Sequence, residues 1–109
     1  MIPGLNKNEF LRIRRSIDDA RELLDDGHPK SALVALRPAK KVLESQKEPL
    51  KAGALVYLLE GEILITLHQE NKAILSLDHA SEILDLLDET DETLRNQIEA
   101  QKKAAVHEA

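Results

Sequence analysis

A chain of 109 residues that is 42% hydrophobic and 32% charged, with only four Gly and four Pro, has the composition of one folded, helix-rich domain and not of a disordered segment. It contains no cysteine, which excludes disulfides, thiolate metal centres and cysteine nucleophiles. The formal charge of −5 is unevenly divided: residues 1–54 carry eleven Lys/Arg against eight Asp/Glu, and residues 55–109 carry four against twelve. An acidic second half disfavours nucleic acid as a partner, because phosphate backbones are held by clustered Lys and Arg.

The first helix is predicted to begin near Asn8, since Asn6 with Glu9 has capping-box spacing. Phe10, Ile13, Ile17, Ala20 and Leu24 then recur at three- and four-residue steps and form one buried face. Gly27-His28-Pro29 predicts a tight turn, because glycine accepts the left-handed backbone of a helix end and proline fits the first turn of the next helix. The second helix buries Ala32, Leu33, Leu36, Ala39 and Leu43, and Pro38 inside it predicts a kink or break, having no amide to give the carbonyl of Val34.

A third helix is predicted from Glu48-Pro49 to about Leu67. It is apolar on nearly all sides, which places it at the centre of the molecule. Its apolar run, Ala52–Leu67, is interrupted by Glu60 and Glu62 and falls short of the roughly 20 residues of a membrane span. With no apolar stretch of signal-peptide length in Met1–Phe10, cytoplasmic residence away from membranes is the expectation. A turn at His68-Gln69-Glu70-Asn71 is required by length alone, since a helix from Pro49 to Leu87 would far exceed the usual three to four turns. The fourth helix buries Ala73, Ile74, Leu77, Ala80, Ile83, Leu84 and Leu87. After Asp88–Asp91, where Thr90 can cap and Asp91 and Glu92 complement a positive helix end, Leu94 and Ile98 give a fifth helix a narrow apolar stripe.

One spacing occurs twice. Ala20, Ala32, Leu36 and Ala39 are followed 41 residues later by Gly61, Ala73, Leu77 and Ala80. Small residues at fixed offsets let paired helices approach closely, so one hairpin template is used twice. On this spacing the chain resembles the tetratricopeptide repeat family, whose unit is a helix, a short turn and a second, antiparallel helix. Residues 12–46 and 53–87 are the two units; Tyr57 stands where the family often has an aromatic, and Ser16 takes that place in the first. The 41-residue offset exceeds the family's repeat of about 34 residues, and longer helices around Gln46 and Pro49 are expected to absorb the excess.

The expected architecture is therefore all-α: a single domain over residues 1–109 with hairpins at about 8–46 and 49–87, stacked as a right-handed array and closed by a helix at about 91–107. The resemblance implies a non-enzymatic, protein-binding adaptor without a cofactor. Its partner, a protein or peptide segment, would lie on the surface lined by the first helix of each hairpin: Arg14, Ile17 and Arg21, then Leu55, Leu58, Glu62 and Ile65. The Lys and Asn that some members use to clamp a terminal carboxylate are replaced by Ile17, Arg21 and Leu55. Two units are few, so self-association into a homo-oligomer is a second option.

The alternative is a plain helical bundle acting as a self-assembling structural domain or a phosphotransfer-type regulator. His28, His68, His79 and His107 show no metal-ligand spacing beyond the single pair His79 and Glu82, which leaves a shell incomplete. His68 lacks the Lys-Gly context of a phosphotransfer histidine.

Overall fold

A computed structural model describes residues 6–88 and 91–108. All regular structure in it is helical: α1 (Lys7–Asp25), α2 (Pro29–Ala35), α3 (Arg37–Glu44), α4 (Lys51–Thr66), α5 (Glu70–Leu86) and α6 (Glu92–Glu108). α2 and α3 are the halves of one broken helix, so the described residues form five helical rods. The break falls at Leu36, ahead of Pro38; the ladder resumes when the Lys40 amide donates to the Leu36 carbonyl at 3.0 Å. In the second hairpin the place of Pro38 is taken by His79, and α5 runs unbroken.

α1 starts as expected. The Asn6 side chain accepts from the Glu9 amide at 2.8 Å while the Glu9 carboxylate accepts from the Asn6 amide at 3.1 Å. α4 starts later than expected. Pro49 lies outside it, and Leu50, in an extended conformation, is its N-cap. The insertion between the units is therefore not added helix: α3 ends at Glu44, and residues 45–50 are a connecting segment. Gln46 ties that segment to α1 by donating to the Glu9 carboxylate at 3.3 Å. At α6 the cap is Asp91, whose carboxylate accepts from the Leu94 amide at 3.0 Å. The sequence points to Thr90 as the cap, with Asp91 only complementing the helix end; Thr90 lies outside the described residues.

The turns of the two hairpins correspond residue for residue at the 41-residue offset. Gly27 (φ 83°) and His68 (φ 60°) occupy the left-handed position, and the next amides, of His28 and Gln69, reach back 2.8 Å to the carbonyls of Leu23 and Leu64. The backbone demands this conformation whichever residue is there. Gly27 has no neighbour that an added methyl would touch, so Gly27→Ala isolates backbone strain and should cost about 1–2 kcal/mol. His68→Gly should relieve a comparable strain and raise the melting temperature; chemical denaturation of both variants checks the pair.

α4 is packed on both sides. Towards the first hairpin Val56, Leu59 and Ile63 join Ile13, Ala20, Ala32, Leu36, Ala39 and Val42 in one buried cluster. Towards α5 and α6 Ala54, Tyr57 and Leu58 join Leu77, Ala80, Ile83, Leu84, Leu94 and Ile98. The repeated small residues Ala20, Ala32, Ala39, Ala73 and Ala80 are all fully buried.

α6 packs on α4 and α5 as α4 packs on the first hairpin. Its buried Leu94, Ile98 and Ala105 follow Ala52, Val56 and Ile63 by 42 residues. The α6 positions matching the α4 face that receives α5 hold Asn96, Glu99, Lys103 and Val106, all exposed. Correspondingly, Arg15, Asp18 and Glu22 on α1 stand where α4 has Val56, Leu59 and Ile63. Both end faces of the stack are thus solvated.

Candidate functional site

The helices α1, α4 and α6 lie side by side, and the 41-residue offset aligns Arg14 with Leu55, Ile17 with Leu58 and Arg21 with Glu62. The last pair meets: the Arg21 guanidinium donates to the Glu62 carboxylate at 2.9 Å, joining α1 to α4. The two charges cancel, so Arg21 presents little net positive charge to a ligand.

The remaining predicted positions divide by depth. Arg14 is exposed, and Leu55, at 44% exposure, is an apolar side chain open to solvent in the middle of the strip. Ile65 is half-buried. Leu58 is 4% exposed and packs among Leu77, Leu84 and Ile98. It is core, one turn below Leu55, and a ligand on the strip does not reach it. Ile17 is half-buried against the first core cluster.

The opposite edge of α4 carries a second feature. Gly53, Tyr57, Glu60 and Leu64 form one stripe, about 180° around the helix from Leu55 and Glu62. This stripe floors a groove, because the second helices of the two hairpins, α2–α3 and α5, stand apart without close backbone contact. One end of the groove is lined by Leu33, Arg37, Leu64, Lys72 and Leu75, the other by Leu43, Glu44, Glu48, Leu50, Glu82 and Leu86.

Between these ends three helices meet through polar groups. Glu60, only 8% exposed, takes the Lys40 ammonium on one carboxylate oxygen and the Ser76 hydroxyl on the other, both at 2.7 Å. Tyr57 stacks on His79 with centroids 4.0 Å apart, and Lys40 sits 5.9 Å from the Tyr57 ring centre. Burial works against the charge on Lys40, yet the hydrogen bond and attraction of Glu60 hold its pKa above the ordinary lysine value. Burial also pushes the Tyr57 hydroxyl up. Nothing local in the sequence singles this network out; its one signal is Glu60, one of two carboxylates inside an apolar run.

Two of the four histidines have a structural role, and His28 and His107 are exposed. His68 holds the left-handed turn position, and His79 is engaged with Tyr57. Among the described residues no group of three or more His, Asp or Glu is placed to hold a metal ion, and no helix is long and apolar enough to cross a membrane.

The second hairpin is also tied to α6 by charge. Arg95 reaches Asp85 and Lys102 reaches Asp78, both at 2.8 Å, and Lys51 reaches Asp91 at 3.2 Å. The Leu94 amide, with help from Lys51, holds the Asp91 carboxyl below the usual carboxylate value. A depressed carboxylate contributes stability above its unfolded pKa and loses it as pH falls through the folded value. Asp91→Asn should therefore lower the melting temperature at neutral pH, with the difference from wild type closing in acid below pH 3.8.

No protein-family profile, curated protein or solved structure matches the chain.

Proposed function

We propose that this chain is a non-enzymatic, tetratricopeptide-repeat-like scaffold that captures a protein or peptide segment along the strip formed by α1, α4 and α6. The duplicated turn and the buried small residues at one offset support the repeat reading. The observation that carries the binding reading is Leu55, an open apolar side chain in the middle of a strip with Arg14 at the matching place on α1 and the Arg21–Glu62 pair beyond. With Arg21 paired to Glu62, exposed Arg14 is a cation available to an acidic group. The ligand this strip suits has one apolar anchor and one carboxylate, presented on a helix or an extended segment.

Selection from a displayed random-peptide library tests this. Enriched sequences should share an aliphatic or aromatic anchor next to Asp or Glu. Leu55→Asp should weaken the selected peptides at least tenfold, and Arg14→Glu should weaken those with the acidic group, each with little change in melting temperature because both side chains are exposed. Peptides whose affinity is indifferent to both substitutions would sink the assignment.

A further inference from the structure

Leu75 and Leu86 are the two most exposed large hydrophobic residues among those described, at 70% and 66%, and both stand on α5. Eleven residues apart, they differ by only about 20° around the helix and share one stripe. His79 and Glu82, both exposed, lie on that stripe between them. The order Leu75, three residues, His79, two residues, Glu82, three residues, Leu86 is symmetric about the midpoint between Ala80 and Ser81: the leucines exchange with each other, and the histidine exchanges with the carboxylate.

The surroundings of the stripe have the same symmetry in charge. The groove along α5 is basic at the Leu75 end, with Arg37 and Lys72, and net acidic at the Leu86 end, where Glu44, Glu48 and Glu82 outweigh Lys47. A parallel copy would set like charge against like. A copy turned end for end sets basic against acidic at both ends.

We infer that a second copy of this chain docks on the exposed face of α5, antiparallel about a two-fold axis, with Leu75 of each copy against Leu86 of the other and His79 against Glu82. Such an interface is isologous, so it closes at the dimer and does not propagate into fibres. A pairing built around one helix belongs to the small interfaces, below about 1,200 Å², and the dimer is accordingly reversible and concentration-dependent. It leaves the α1–α4–α6 strip open and does not depend on what that strip binds.

The absence of cysteine makes the geometry directly testable. In the antiparallel pair Leu75 faces Leu86 of the other copy, while two Leu75 residues are about 16 Å apart along the axis at 1.5 Å per residue, beyond the reach of a disulfide. Mild oxidation of Leu75→Cys mixed with Leu86→Cys should give the covalent heterodimer, and each variant oxidised alone should remain largely uncrosslinked. Sedimentation equilibrium of the wild type should show a mass rising from monomer to dimer with concentration. Leu75→Glu should return it to monomer with its circular dichroism unchanged. A constant monomer mass into the millimolar range, crosslinks between like positions, or no preference among the pairings would overturn the proposal.

Discussion

Gly61→Val is expected to be among the most damaging single substitutions in this chain. A methyl at Gly61 would stand 2.6 Å from Cδ2 and 2.7 Å from Cγ of Leu77. Leu77 is itself fully buried, so it cannot swing into solvent to make room. Alanine there gains about 0.8–1.0 kcal/mol of helix propensity and loses about 1–3 kcal/mol to overpacking, a modest net loss. Valine adds two more carbons to the same space, and about 3 kcal/mol or more is expected. For a domain of this size that lowers the melting temperature by ten degrees or more at roughly 4 °C per kcal/mol. Leu77→Ala alone should cost about 2–5 kcal/mol through its cavity. In the Gly61→Ala/Leu77→Ala double variant the new methyl occupies part of that cavity, so the loss should be smaller than the sum of the singles. Strict additivity by denaturant titration would show that the two residues do not share one space.

Lys40→Met should be nearly as costly, for an electrostatic reason. It leaves the Glu60 carboxylate, with only a tenth of its side chain exposed, held by the Ser76 hydroxyl alone. Breaking a buried pair by removing one partner costs about 3–5 kcal/mol. A third of the Lys40 side chain reaches solvent, so about 2–3 kcal/mol is the discounted expectation. Replacing both charges, as Lys40→Met/Glu60→Leu, should restore most of the loss, because no unpaired ion is then buried. The pH dependence has a definite sign. The Lys40 pKa is raised on folding, so its contribution is fully present below the ordinary value of 10.5 and disappears as pH rises through the folded value. The stability difference between wild type and Lys40→Met should therefore stay level from neutral pH to about that point and shrink above it. A gap unchanged in strong alkali would mean that the methionine acts through packing.

Neither effect was visible in the residues one at a time, although the parts were. The helix starts and stops followed from short-range chemistry: Asn6 with Glu9, Gly27 with Pro29, and Pro38 breaking the rod that carries it. The small residues at a 41-residue offset also announced which helix faces would meet, and all of them are buried. Where periodicity failed, so did the reading. α4 is apolar around its whole circumference, so its pattern could not say that Leu58 is core while Leu55, three residues earlier, is open to solvent. The flanking helices are expected to run to about residue 46 and from Glu48-Pro49, whereas α3 ends at Glu44 and α4 begins at Lys51, because no local signal weighs a proline at a helix start against one just outside it.

Sequence alone thus fixed the helical class, the duplicated hairpin and its turns, since each depends on residues within a few positions or on a repeated spacing. Only the packed molecule brought Lys40, Glu60 and Ser76 from three separate helices onto one carboxylate, paired Arg21 with Glu62 and left Leu75 and Leu86 uncovered. Those outcomes depend on how far apart α2–α3 and α5 stand around α4. That separation is set by side-chain volumes summed over the whole core, which no local pattern encodes.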